Sequence, residues 1–343
     1  MAGMVVAVAG ASGLVGSTIV ELLEARRFPV ECLRLLGSKS IPERTIPFRG
    51  SPHPVEELAS DSFRGTDLAF FATSAEVSRA LVPRALEAGT RVIDNSHAFR
   101  MDPAVPLVVP EVNAWAAART DMLIANPNCC AIQLTVALAP LARSTGLRRV
   151  VVATYQSVSG AGREGIVSLE TELFGEKDPG ERDAPEARPA RPGVFAHPIA
   201  DNLIPEIGPF SDEGETGEES KICEETGKIL DLDELRITVT AVRVPVRAAH
   251  SLAVWAELAE PLEVDDARQI WTRSPGVVVV DEPARSQYPT PRAAAGRDEV
   301  FVGRIRRDRS VASGLSFWVV ADNVRKGAAL NAIQIAESLI GDG

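Results

Sequence analysis

Cysteine is scarce, with four in 343 residues, two of them adjacent at 129 and 130. That number and spacing form neither a disulfide framework nor a paired-cysteine zinc motif, so a reducing compartment, the cytoplasm, is expected. Positive charge is also short. Thirty-six Lys and Arg stand against 47 Asp and Glu, a net charge of −11. The balance excludes nucleic acid and anionic membrane as principal partners but leaves room for a local anion site. No apolar run reaches membrane-spanning length, and the chain enters a strand pattern without a basic or apolar leader, so neither a span nor a signal peptide is expected. What is present is an ordinary globular composition, 45% hydrophobic and 24% charged. The length exceeds one compact core, so two domains are expected.

The first third alternates strands and helices. Residues 5–9, 33–36, 67–72 and 91–95 read as strands, and 17–27 and 76–88 as helices, the second ending at Gly89. This alternation predicts a doubly wound parallel sheet covered on both faces, a Rossmann-like α/β domain over 1–127. Beyond it the pattern becomes β-rich at 149–157, 236–246, 251–258, 276–281, 300–305 and 315–321, with helices near 165–174, 218–230 and 264–272. That predicts a second, α+β domain over 128–323 on a mixed or mostly antiparallel sheet. Residues 176–192, rich in Pro, Arg, Asp and Glu, read as an exposed excursion. A closing helix at 323–340 is expected to return to the first domain, so that 324–343 completes it.

Three motifs carry chemistry. Gly10-Ala11-Ser12-Gly13-Leu14-Val15-Gly16 lies between the first strand and first helix, where glycines let the backbone turn tightly and approach a pyrophosphate held on the helix N-terminus. The alternative is a purely structural turn. After the second strand comes Gly37-Ser38-Lys39-Ser40 with Arg44 beyond, instead of the acid that holds a free ribose 2′-hydroxyl. A hydroxyl and cations suit a 2′-phosphate, hence NADP, unless the segment is an ordinary solvated loop.

Asn126-Pro127-Asn128-Cys129 puts a thiol at the mouth of an apolar helix that Asn128 can cap. Unsatisfied N–H groups and the helix dipole there favour the thiolate, a nucleophile toward aldehyde and acyl carbon, although most cysteines are inert core residues. A thiol beside a dinucleotide suggests addition to an aldehyde, hydride loss and a thioester. Such chemistry needs a base, oxyanion donors and substrate grips. Arg243 and His250, one of four histidines, stand at the two ends of a short linker and offer a cation and an imidazole; a lone histidine can equally be structural.

With these residues in place the chain resembles a bacterial aspartate-β-semialdehyde dehydrogenase throughout. The landmarks are 10–16, 96–101 with 106–113, 126–133, 154–162, Ile204-Pro205, 218–221, 243–251 and 322–337, in the family's order and near its spacings. The resemblance implies a glyceraldehyde-3-phosphate-dehydrogenase-like architecture in which the second domain is catalytic and dimerising. It also implies a homodimer and NADP(H)-dependent, reversible reduction of L-aspartyl 4-phosphate to L-aspartate 4-semialdehyde with release of phosphate, serving lysine, threonine, methionine and diaminopimelate biosynthesis. Position by position it implies Cys129 as nucleophile, His250 as acid/base, and Asn128 and Gln156 as orienting residues. Arg243 and Glu218 then grip the substrate's carboxylate and amino group, and Arg100 and Lys221 the phosphate. Gly10, Ser12, Gly13, Leu14, Val15, Gly16, Ser38, Lys39, Ser159, Gly160 and Asn323 fall at cofactor positions, and no metal is implied.

Two departures stand out. Cys130-Ala131 replaces the family's usual Ser-Thr, and the adenosine-side arginine falls at Ser40. Among alternatives, an N-acetyl-glutamyl-phosphate reductase shares the thioester mechanism, but Glu218 is suited to a free ammonium and not to an acetylated amine. Glyceraldehyde-3-phosphate dehydrogenase motifs are absent. A non-catalytic nucleotide-binding paralogue should lack a reactive residue, whereas Cys129, Gln156, Arg243 and His250 are all present.

Overall fold

The computed structural model describes residues 3–38, 44–118, 120–175 and 193–340. Lys39, the 176–192 excursion and the last three residues of the expected closing segment lie outside them. The first unit runs β1 (Met4–Ala9), α1 (Leu14–Ala25), β2 (Val30–Gly37), β3 (Thr45–Phe48), β4 (Ser51–Glu57), β5 (Leu68–Phe71), α2 (Ala75–Glu87), β6 (Arg91–Asp94), α3 (Pro110–Asn113) and β7 (Leu123–Ala125). These strands form a seven-stranded sheet ordered β3-β4-β2-β1-β5-β6-β7. It is parallel except for β3, which pairs antiparallel with β4. Winding departs from β1 toward β2 on one side and β5 on the other, which opens a crevice at the carboxyl ends of those strands. Near-continuous apolar runs such as Val6-Ala7-Val8-Ala9 follow from burial on both faces.

The second unit begins at the nucleophile motif with α4 (Cys129–Thr145), then β8 (Leu147–Gln156), α5 (Gly162–Phe174), α6 (Gly217–Leu230), β9 (Arg236–Arg243), β10 (His250–Leu258), α7 (Val264–Thr272), β11 (Val277–Val279), α8 (Pro291–Ala294), β12 (Val300–Arg307) and β13 (Gly314–Ala321). Its six-stranded mixed sheet is ordered β11-β12-β13-β10-β8-β9, with β8–β9 and β11–β12 parallel. Ile132 and Leu138 of α4 pack on Val152, Leu252 and Phe317 of one face. The opposite face carries a cavity of about 470 Å³ lined by Tyr155, Trp255, Tyr288 and Trp318. No helix among the described residues is long and apolar enough to cross a membrane.

The two-domain α/β architecture is the one the alternation predicts, with local differences. The β3–β4 hairpin is not among the expected strands; its Pro47 lies on the edge strand β3, and Pro52 and Pro54 fall in the part of β4 that pairs only with β3, so their missing donors leave the β2 pairing intact. The closing helix is not uniform. Residues Arg325–Ala329 form a π turn ahead of α9 (Leu330–Ile340), with Gly327 N–H on Asp322 O and Ala329 N–H on Val324 O, both at 2.9 Å. Asp322 Oδ1 also accepts the N–H groups of Val324 and Arg325, fixing the entry. The wide turn sets Gly327 against Cys129: a Cβ there would lie 3.0 Å from Cys129 Cβ. Helix α9 returns to the first sheet, where Ile333 and Ile335 join Val6, Ile19, Leu23 and Phe70 in one core; α2 covers the other face.

Candidate active site

The loop leaving β7 places Asn128 at the N-cap of α4. Its Oδ1 accepts the N–H groups of Cys130 at 2.8 Å and Ala131 at 3.3 Å. Cys129, the first helical residue, is partly exposed, whereas Cys130 is fully buried. The Cys129 thiol is held well below the ordinary thiol range, first by a hydrogen bond from Cys130, then by His250 and Arg243, against the opposing effect of burial. Burial and the neighbouring Cys129 push the Cys130 thiol the other way. Of the two sulfurs, Cys129 is thus the partly exposed one and the more readily ionised.

His250 opens β10 and is fully buried, with Nδ1 3.0 Å from both the N–H and the Oγ of Ser157. Its Nε2 makes no hydrogen bond, and one of its ring nitrogens lies within 4.8 Å of the Cys129 and Cys130 sulfurs. Arg243 ends β9, buried, and donates from Nη1 to Ser157 O at 2.8 Å. Burial lowers its pKa, while Glu218 and the two thiols oppose that shift. Gly160 makes the room: a Cβ there would come 2.6 Å from Arg243 Nη1 and 3.2 Å from His250 Nε2. Glu218, in the first turn of α6, accepts from Asn128 Nδ2 at 2.9 Å and Gln156 Nε2 at 3.3 Å.

A pocket of about 230 Å³ brings together Val15, Arg100, Asn128, Cys129, Gln156, Ser159, Gly160, Glu218, Arg243 and Asn323, while buried His250 and Cys130 are not part of its lining. The larger cavity on the open sheet face is lined by aromatic side chains and by no cysteine. Arg100 is deeply engaged, with Nε on Asn126 O, Nη1 on Glu225 Oε1 and Nη2 on Asn95 O. Lys221 follows Glu218 by three residues on α6, is half-buried and lies outside the pocket lining, although its charge and that of Arg100 both bear on His97.

The glycine turn fits a dinucleotide. Gly10 has φ +80°, and Cβ atoms at Gly10 and Gly16 would come 2.3 Å from Ala72 O and 2.2 Å from Gly10 O. Gly13 caps α1 without a side-chain acceptor, so the first N–H groups of the helix are left for an anion. Leu14 begins that helix and Val15 reaches the thiol pocket. Ser12 Oγ lies 3.6 Å from where a Gly37 Cβ would be, beside exposed Ser38 at the end of β2. Ser159 Oγ donates to Asn323 Oδ1 at 2.9 Å.

Sequence reasoning missed two groups. Glu225, two turns after Glu218 on α6, could have been found by helical spacing. Ser157 could not, because its contact with His250 joins residues 93 apart in sequence.

Residues 5–120 match the semialdehyde dehydrogenase NAD binding domain family, and residues 138–326 the semialdehyde dehydrogenase dimerisation domain family. The chain is 44% identical to the aspartate-semialdehyde dehydrogenase of Aquifex aeolicus over 99% of both chains. It is 43% identical to that of Bacillus subtilis, over 98% of this chain and 97% of the relative. The crystal structure of aspartate semialdehyde dehydrogenase II from Vibrio cholerae, complexed with ASA, superposes with a TM-score of 0.91 at 41% identity, covering 99% of each chain. Agreement of this extent across both sheets shows that the chain belongs to the aspartate-semialdehyde dehydrogenase family of oxidoreductases.

Proposed function

We propose that the chain interconverts L-aspartyl 4-phosphate and L-aspartate 4-semialdehyde through a thioester on Cys129, with NADP(H) as cofactor and phosphate as co-substrate. The observation that carries this reading is the depressed Cys129 thiol, within 4.8 Å of a ring nitrogen of His250 and lining one pocket with Arg243 and Glu218. The Cys129 sulfur attacks the acyl carbon, and the C–O bond to phosphate breaks with its electron pair leaving on oxygen. Arg100 and Lys221 neutralise the departing phosphate. The Gly10–Gly16 turn would hold the pyrophosphate of the dinucleotide, with Val15, Ser159, Gly160 and Asn323 as further contacts, and the bound cofactor would supply the hydride or accept it in reverse. His250 Nε2–H donates to the oxygen as charge builds there and recovers the proton as the C–S bond breaks.

Arg243 offers a bidentate fork to the substrate's α-carboxylate. Glu218, oriented by the amides of Asn128 and Gln156, meets a free α-ammonium. An acetylated amine would leave that carboxylate without a cation, which disfavours N-acetyl-glutamyl phosphate as substrate. Residues 1–127 with 324–343 form the nucleotide unit in this reading and 128–323 the catalytic unit. The aromatic-lined open face of the second sheet, within the matched dimerisation domain, supports a homodimer. The free thiols fit the cytoplasm.

The test is an NADP-dependent assay with aspartate semialdehyde and phosphate, repeated with N-acetyl-glutamate semialdehyde; turnover of the second alone would sink the reading. For the cofactor, one charge-assisted contact to a 2′-phosphate contributes about 1.5–3 kcal/mol, roughly ten- to a hundredfold in NADP over NAD. Lys39→Ala should erase much of that preference while leaving kcat with NAD unchanged, and equal use of NAD by the native enzyme would refute it.

A further inference from the structure

Arg243 carries its charge in a buried place, and burial works against that charge. Two neutral groups hold the guanidinium. Nη1 donates to Ser157 O at 2.8 Å, and the guanidinium carbon lies over the ring of Phe195, 5.7 Å from its centroid. An aromatic face attracts a cation without taking its N–H donors as a carboxylate would, so the remaining donors stay available to a ligand. Phe195 belongs to residues 193–207, a stretch of turns and extended chain between α5 and α6. Near its start the tip of the Phe195 ring rests on α5, where a Cβ at Gly165 would come within 3.2 Å of it. Further on, Glu172 Oε2 of α5 accepts the N–H groups of Ile199 and Ala200, both at 2.7 Å, while Oε1 takes the Ser168 hydroxyl at 3.2 Å. Ile204 then exchanges two backbone hydrogen bonds with Arg243 itself, at 3.0 and 2.8 Å. Ile199 and Ile204 are buried with Val158 and Leu169 in a small core that Phe195 joins, and Ile207 lines the pocket. One stretch of chain thus holds Arg243 by main chain and by side chain together.

We propose that residues 193–207 act as a strap that sets the substrate-facing arginine, with Phe195 as a positioning residue on the Arg243 guanidinium and Glu172 as the anchor of the strap. The strap fixes the arginine where it can meet an α-carboxylate, and the ring offsets part of the cost of burying its charge. A carboxylate in place of the ring would neutralise the same charge but would compete with the substrate's own. The contribution of Phe195 therefore belongs to recognition of the α-carboxylate and not to the chemistry at Cys129.

This inference rests on the reading of Arg243 as the carboxylate grip, and the experiment separates the two. Steady-state kinetics of the full-length enzyme with aspartate semialdehyde, phosphate and NADP compares Phe195→Leu, Phe195→Tyr, Glu172→Ala, Arg243→Leu and the double variant of Phe195→Leu with Arg243→Leu. Phe195→Leu keeps an apolar side chain in a half-buried place and loses the ring. Its KM for the semialdehyde should rise about three- to thirtyfold, with kcat within about twofold of native. Phe195→Tyr restores an aromatic face and should return KM to near the native value. Glu172→Ala should raise the same KM and leave KM for phosphate unchanged. In the Arg243→Leu background, Phe195→Leu should lower kcat/KM by no more than about a further twofold, because it acts through the arginine. Additive losses in the double variant would overturn the proposal, as would Phe195→Tyr being as impaired as Phe195→Leu. If Arg243→Leu itself left KM unchanged, the carboxylate reading would fall and the inference with it. A raised KM in Arg243→Leu beside a native KM in Phe195→Leu would remove the strap alone.

Discussion

Glu225 Oε2 accepts the backbone N–H of Asn128 at 2.5 Å, so a carboxylate two turns into α6 holds the residue that caps α4, the helix that Cys129 opens. Its other oxygen takes Arg100 Nη1 at 2.9 Å. Both side chains are buried, and burial raises the Glu225 pKa while Arg100 and the Asn128 N–H oppose the shift. One buried group therefore ties the cap of α4 to Arg100, the cation expected at the phosphate.

Removing one partner of a buried pair leaves an uncompensated charge. Glu225→Ala should destabilise the fold by about 3–5 kcal/mol, and replacing Glu225 and Arg100 together with Met should cost less than the single change. Urea unfolding of the three variants measures this. A single variant as stable as the native protein would show that the pair contributes nothing. Because the folded-state pKa of Glu225 is raised, the folded chain binds more protons here than the unfolded one above 4.5, so this group removes stability as pH rises from there through its folded value.

The two thiols should separate chemically. Iodoacetamide inactivation should follow an inflection well below 9.0, owing to Cys129, and Cys129→Ala should lose turnover yet bind cofactor. Cys130→Ala should stay active while its inflection moves up, because the hydrogen bond from Cys130 is the first cause of the depression. An inactive Cys130→Ala beside an active Cys129→Ala would reverse the assignment. In linkage terms the depressed Cys129 adds stability that is complete above 9.0 and is lost as pH falls through its folded value; Cys130, raised, has the opposite sign above 9.0.

Arg243→Leu should act mainly on KM for the semialdehyde, with a loss of roughly 2–5 kcal/mol in kcat/KM if a desolvated charge pair is broken. Lys221→Ala should act on phosphate, and more weakly, because Lys221 is only half-buried. Initial-rate kinetics with each substrate varied decides this, and parallel effects of both changes on both substrates would contradict separate carboxylate and phosphate sites.

The glycine turn, the helix-mouth thiol and the Arg243–His250 pair were legible in the sequence because local spacing determines them: strand, turn and helix follow one another within a few residues. Gln156 and Glu218 came from the resemblance alone, since nothing nearby in the chain marks them. Glu225 and Ser157 act through partners 97 and 93 residues away, a relation only the packed fold creates. The π turn escaped the helical pattern for a similar reason. Its width reflects Asp322 capping and the burial of Lys326, and both are tertiary.

Two ion pairs tie the C-terminal segment to the first domain, and their depth should separate their worth. Lys326 is fully buried in the π turn and gives Nζ to Glu111 at 2.7 Å, Asn331 Oδ1 at 2.9 Å and Gln334 Oε1 at 2.7 Å. Arg26 meets Glu337 through two bonds of 2.7 Å, but each side chain is 32% exposed. Solvent screening limits the second pair to about 0–1 kcal/mol. Lys326→Met strands a largely buried carboxylate and two amide oxygens, so it should cost about 3–5 kcal/mol. It should also loosen the turn that sets Gly327 against Cys129, so kcat should fall with stability, whereas Arg26→Ala should leave kcat unchanged. Burial lowers the Lys326 pKa from 10.5, with Glu111 opposing the shift. Between its folded value and 10.5 the unfolded chain binds more protons, so the native protein should gain stability from this group as pH rises through that window, and the Met variant should not. Thermal unfolding of the native protein and both variants across that range provides the comparison. Equal losses for Arg26→Ala and Lys326→Met would show that burial does not set the strength of these ties.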